Sequence, residues 1–203
     1  MNDQKKPLLI SCGILRNEIQ KLIETGQLDA DVKYLGAKLH YDYELLERAL
    51  KGTFEKVPKH QARNVIAVYG DVCLGFDYEI KKLVETHGIV KVDALNCVDC
   101  LLGGKGRLLE ADRDHKYFFL TPGWITFWNH FEKSKENLKE RYAMLDGLVL
   151  LDALGNLDDY KDEIDAISRS TGLPVVEKKE IGLEGLKQII DEAIDNASLK
   201  ALQ

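Results

Sequence analysis

Four cysteines carry most of the chemistry open to this chain, and three of them recur in equivalent places. Cys12 ends the apolar run 7–12, Cys73 follows the Tyr69-Gly70 end of the run 64–70, and Cys97 ends the stretch 89–97. Each run is short and apolar, which reads as a buried strand, and 64–70 is the clearest with its β-branched residues. In a parallel sheet the C-terminal ends of all strands share one edge, the usual place for chemistry in an α/β protein. If these strands are neighbours, as in a flavodoxin-like order, about 5 Å separates one from the next. The three thiols then converge on one metal or cluster. Glycines stand beside them at Gly13, Gly70, Gly103 and Gly104 and let backbone approach a bulky ligand. Helix N-termini just downstream are expected to lower the thiol pKa values toward the thiolate that binds metal.

Two other readings of the same residues stay open. Cys100 forms a C-x-x-C pair with Cys97, the spacing of a redox dithiol, or lies one turn into the helix as a buried spectator. Cysteine is also among the most buried residue types and often only fills space. His40 follows an apolar strand end and is a candidate for the same crevice, and Trp124, in the turn Thr121-Pro122-Gly123-Trp124, is a candidate pocket wall. His60, His87, His115 and His130 show no ligand spacing and read as surface residues. The basic, glycine-rich stretch 103–107 is a candidate anion loop. It lacks the order of a nucleotide-binding P-loop, and no G-x-G-x-x-G follows a strand.

The elements that must position these groups alternate along the chain. Strands are expected at 7–12, 31–35, 64–70, 89–95, 116–121, 146–152 and 173–177. Helices are expected at 16–24, 42–50, 77–86, 107–111, 157–170 and 183–194. Trp124, Phe127, Trp128 and Phe131 recur at i, i+3, i+4 and i+7, one apolar helix face that suits a core or a homodimer interface. The acidic run 158–165 reads as a solvated helix face. The pattern predicts an α/β fold, a three-layer α/β/α arrangement around a mainly parallel, Rossmann- or flavodoxin-like sheet. One domain over residues 1–203 is expected, with 1–6 and 197–203 frayed.

Composition narrows the function classes. A net charge of -6 over 203 residues is unlike the basic surface of a nucleic-acid binder. No apolar run approaches the roughly 20 residues that span a bilayer, and the first residues lack a signal-peptide core, so a cytoplasmic protein is expected. In that reducing compartment, four cysteines read as free thiols, metal ligands or redox pairs rather than structural disulfides.

Taken together, Ser11-Cys12-Gly13, Val68-Tyr69-Gly70 with Cys73, Asn96-Cys97-Val98 with Leu102-Gly103, and Thr121-Pro122-Gly123-Trp124 resemble the archaeal and bacterial domain of unknown function 1638. His40, after Leu39, matches a histidine of that pattern. Asn96, Leu74 and Gly104 depart from it, replacing an aspartate, a glycine and a serine, and Cys73 lies one residue late. Cys100 is an addition outside the pattern, which favours a three-thiolate site over a dithiol. The resemblance leaves the trio Cys12, Cys73 and Cys97 intact, and these residues are read as ligands of an iron–sulfur cluster, or of zinc as the alternative, with a small-molecule ligand. It also implies an accessory role beside corrinoid-dependent methyltransferases of methanogens, by association with their genes. The Asp-x-His-x-x-Gly signature of cobalt-ligating corrinoid proteins is absent from the sequence. Substrate and reaction stay open: an enzyme of one-carbon, sulfur or methyl metabolism, a non-catalytic interaction protein and a thiol oxidoreductase all fit.

Overall fold

The computed structural model describes residues 6–131 and 137–201. Among these, the strands pair in parallel, as the alternation of strands and helices predicts, but they divide between two sheets. The first contains β1 (Leu8–Cys12), β2 (Asp31–Leu35), β3 (Val65–Val68) and β4 (Val90–Lys91) in the order β2-β1-β3-β4. The second contains β5 (Tyr117–Leu120), β6 (Gly147–Asp152) and β7 (Val175–Glu180) in that order. The central strands β3 and β6 are buried along their whole length, which is why they are continuous apolar runs.

Pleating links the two sheets. Phe119, Val149 and Leu151 point one way and join the large core built on the first sheet. Their neighbours Leu120, Leu148 and Leu150 point the other way, into a smaller core with Ile125, Trp128, Ile164 and Ile167.

Helices α1 (Arg16–Glu24), α2 (Tyr43–Phe54) and α3 (Glu79–His87) connect the strands of the first sheet. Next come α4 (Cys97–Leu102), α5 (Arg107–Ala111), α6 (Pro122–Phe131), α7 (Leu138–Tyr142), α8 (Lys161–Thr171) and α9 (Glu184–Ala201). Helix α9 follows the second sheet in sequence yet packs on β3, β4 and α4 of the first. Leu186, Ile189, Ile190 and Ala193 form its buried face. Ala197 is buried too and anchors the last turns, so the helix outruns the fraying expected from residue 197.

Two further boundaries differ from expectation. Strand β4 pairs over only two residues, because beyond Val92 the chain leaves the ladder for the turn that holds Asp93 and Lys105 together. The stretch 121–124 is a helix start and not a free turn. Pro122 occupies the first helical position, where its missing N–H costs nothing, and the Trp124 amide donates to Thr121 Oγ1 at 3.3 Å. No helix among the described residues is long and apolar enough to cross a membrane.

Candidate thiol site

Strand β1 lies between β2 and β3, and β3 pairs with β4, so Cys12, Tyr69 with Cys73, and Cys97 leave the sheet along one edge. The loop carrying Cys73 is laced to the approach to Cys97: the amides of Asp71 and Val72 donate to Ala94 O at 2.9 Å and Leu95 O at 3.0 Å. Only glycine permits this closeness. A Cβ on Gly70 would stand 2.2 Å from the Leu95 carbonyl and 2.3 Å from Asn96 N. Asn96 then caps α4, its Oδ1 accepting from Asp99 N at 2.9 Å, and so sets where Cys97 begins the helix. On the other side α6 closes on residues 13–15, where a Cβ on Gly123 would sit 2.1 Å from Ile14 O. That contact delivers Trp124 from beyond the second sheet.

Cys12 Sγ lies 2.9 Å from His40 Nε2 and accepts from the Ile14 amide at 3.4 Å. The Trp124 indole N–H donates to Cys97 Sγ at 3.2 Å. Tyr69, only 2% exposed, lies within electrostatic reach of Cys12, Cys73 and Cys97. His40 lies tilted against its ring, centroids 6.5 Å apart. The structure therefore pairs the predicted Cys12 with His40 and Cys97 with Trp124, and sets His40 against Tyr69. Cys100 is fully buried on α4, where it senses Cys97 and Cys73, and all four thiols are free.

Burial sets the electrostatics. It pushes the Cys73 thiol up to about 12 and Cys97 to about 11, and raises Cys12 and Cys100 well above the ordinary range. The lowering expected from helix N-termini does not occur, because desolvation outweighs the hydrogen bonds that reach the sulfurs. At neutral pH roughly one Cys97 thiol in ten thousand is ionised. Burial also lowers His40 to about 4, leaving a neutral imidazole. Cys12 and His40 are thus a neutral thiol hydrogen-bonded to a neutral imidazole, not the thiolate–imidazolium pair of a cysteine nucleophile. Among the described residues, no three His, Cys, Asp or Glu side chains stand close enough to hold a single metal ion.

Residues 34–190 match the family model described as "Protein of unknown function (DUF1638)". The chain belongs to this family. His40, Cys73, Cys97 and Trp124 lie inside the matched span, and Cys12 precedes it. No curated protein and no solved structure matches the chain.

Two carboxylates of this DUF1638 protein matter that the motifs do not reveal. Asp99, between the paired cysteines, is fully buried and accepts from Leu95 N at 2.9 Å, Gly106 N at 3.1 Å and Leu108 N at 2.8 Å. Of the glycine-rich stretch 103–107, expected as a loop for an external anion, Gly106 turns its amide onto this internal carboxylate and Gly104 donates to the Asp99 backbone carbonyl. Lys105 there pairs with Glu192 at 2.8 Å. Gly103 and Gly104 help to close α4 against α9, and a Cβ on Gly104 would meet Asp93 O at 2.2 Å. Gly13 fits under β2, its Cβ position 2.9 Å from Leu35 O.

The second carboxylate is Glu18 in the first turn of α1, fully buried, with neither oxygen hydrogen-bonded. Burial raises it to about 7, and its charge reaches Cys97. A signal existed: Leu15, Glu18, Ile19 and Leu22 recur at i, i+3, i+4 and i+7, which places Glu18 on the buried face.

Of the other histidines, His87 packs on Phe54 at 5.7 Å with Nδ1 2.9 Å from Leu83 O, so it is half-buried rather than a surface residue. His115 is exposed. The side chains of His60, His130 and Phe131 lie outside the described set.

Proposed function

We propose that Cys12, Cys73 and Cys97 hold an iron–sulfur cluster in a cytoplasmic enzyme of one-carbon, sulfur or methyl metabolism. One observation carries the reading: three buried thiols, Cys12, Cys73 and Cys97, follow the adjacent strands β1, β3 and β4 along one edge of the sheet. The donor set suits the group. Thiols held protonated by burial give up their protons to a metal and to little else, and N–H donors to sulfur, such as Trp124 and Ile14, tune clusters elsewhere. A single zinc ion would need the thiols to draw together, whereas bridging sulfides let a cluster span a wider set. Three protein ligands on a four-iron cluster leave one iron for a small-molecule ligand.

The test is iron, zinc and acid-labile sulfide analysis with a visible spectrum, on protein purified without oxygen. Iron with sulfide and broad visible absorption supports the cluster. Cys12→Ser, Cys73→Ser and Cys97→Ser should each abolish loading, and Cys100→Ser should keep it. Colourless protein with stoichiometric zinc would replace the cluster with thiol or water activation by zinc. Metal-free protein would remove both.

A second reading draws on the loop after Cys73, where Phe76 is 81% and Tyr78 64% exposed. Large exposed aromatics beside a site suit a protein partner, here a corrinoid or methyltransferase component, with the chain as an accessory. Phe76→Ser with Tyr78→Ser should then abolish co-purification with that component while leaving metal content unchanged.

A further inference from the structure

The order β5-β6-β7 makes β7 an edge strand, and every residue of it except Lys179 is exposed. Val175 and Val176, at its start, are 44% and 49% exposed. Ile181 donates its amide to Asp152 O at 2.9 Å and so faces β6. The alternation of backbone groups along a strand then turns the N–H and C=O of Lys178 and Glu180 outward. No further strand among the described residues pairs with that edge.

An uncovered edge is a template for another strand, and proteins that must stay single blunt it with a run of lysines or with a bulge where a strand would dock. In β7 the one irregularity falls at Val176, between the partners of Leu148 and Val149, and 177–180 keep a regular register. The charges there are of mixed sign. Glu177 and Lys179 share one face and pair at 3.1 Å. Lys178 lies on the other face, held by Asp158 at 2.9 Å and Asp152 at 3.6 Å.

We propose that β7 is a homodimer interface, pairing antiparallel with β7 of a second copy about a twofold axis at Lys178, so that the two sheets become one. The outward groups of the two Lys178 residues then face each other as a hydrogen-bonded pair. Glu177 of each copy falls opposite Lys179 of the other, in the closer pairs where side chains meet best. The two opposed Lys178 ammonium groups are each neutralised within their own chain. An axis between residues 178 and 179 would set outward backbone groups against inward ones and like charges opposite each other. An axis at Lys179 would oppose the two Lys179 side chains and leave Val176 uncovered. The edge is thus self-complementary in one register, as a twofold interface requires. The inference is independent of what the thiol edge holds.

The test is analytical ultracentrifugation of the full-length chain over a range of concentrations. Wild type should dimerise reversibly. Glu177→Lys and Lys179→Glu each place like charges opposite at both pairs and should weaken dimerisation by about tenfold. Mixed in equal amounts, the two variants should recover wild-type association as a heterodimer, because every pair across the twofold is again of opposite charge. Lys178→Pro removes the outward N–H at the axis together with the two opposed ammonium groups. Loss of the dimer in that variant, with wild-type circular dichroism, supports pairing through the backbone, whereas a tighter dimer would overturn it. A wild-type monomer at every concentration, a dimer that both reversals leave intact, or reversals that mixing does not rescue would each overturn the proposal. Should Lys178→Pro fail to fold, the mixing experiment decides alone.

Discussion

The strand ends of the two sheets are built from similar materials and use them in opposite ways. Where β6 ends, Asp152 is 3% exposed and folds its carboxylate onto its own loop, accepting from Gly155 N at 2.7 Å, Asn156 N at 3.1 Å and Leu157 N at 3.4 Å. Where β1 and β3 end, the buried groups are Cys12, Tyr69 and Cys73, and the carboxyl within electrostatic reach of Cys97 is Glu18, which accepts from no other residue. The first edge is closed chemistry: the polar capacity is consumed by the backbone it organises. The second keeps capacity in reserve, and a reserve in a buried place costs stability unless a ligand uses it.

The contrast breaks most visibly at Asp152. Asp152→Ala strips the acceptor from three amides at once, and hydrogen bonds to a charged group are among the stronger ones. Urea denaturation should show a loss of about 4 kcal/mol. Glu18→Gln should do the reverse, leaving stability equal to wild type or higher at pH 8, since no partner is lost and a buried charge is removed. A loss at Glu18→Gln comparable to that at Asp152→Ala would mean that both edges are closed in the same way.

A pH series sharpens the same point. Burial raises Glu18 from 4.5 to about 7, so the native state holds the proton longer and stability falls as pH rises through that window. Burial lowers His40 from 6.5 to about 4, so the unfolded chain holds the proton longer and stability rises with pH between those values. Each swing amounts to about 3 kcal/mol. In metal-free wild type the two oppose each other between pH 4.5 and 6.5, and their joint contribution is nearly flat. Glu18→Gln should unmask a rise with pH, and His40→Gln a fall. The groups facing Glu18, Cys97 and Tyr34, do not titrate in this range, nor do Cys12 and Tyr69 beside His40. A Glu18→Gln profile parallel to wild type would show that the carboxyl is already charged and solvated.

Much of this was legible in the chain itself, and the rest was not for physical reasons. Apolar runs ending in Cys12, near Cys73 and at Cys97 announce parallel strands, and the adjacency of β1, β3 and β4 follows the order that such a sheet favours. The division into two sheets is not written locally: β4 and β5 do not pair, and α9, far along the chain, returns to pack on the first sheet. Motifs mark glycine-rich turns but not what their amides face, and Asp99 was hidden as the residue between two cysteines. The thiol pKa values turned on burial from every side, which no helix end reveals. Glu18 lay on a readable apolar face. A charged residue at such a position is easily taken for one that turns outward to solvent.

The finest distinction between the two edges lies in what holds the sulfur. Trp124 Nε1 donates to Cys97 at 3.2 Å, a side-chain N–H that adds to the backbone amides of Cys97 and Val98 at this sulfur. Trp124→Phe keeps the packing on Phe127, centroids 5.4 Å apart, and removes only the donor. The stability change should be within about 1 kcal/mol, because a weak acceptor gives a weak bond. The thiol should respond more clearly than the fold. The Trp124 bond is the largest influence holding Cys97 down against burial, so its loss should raise the thiol pKa further above about 11. Alkylation rates at Cys97 against pH, read by peptide mass mapping, would shift to higher pH in Trp124→Phe, whereas Trp128→Phe, on the closed side of the molecule, should leave them unchanged. An unshifted Trp124→Phe profile would mean that the indole lines the edge without acting on it, leaving Glu18 as the group that sets Cys97 apart.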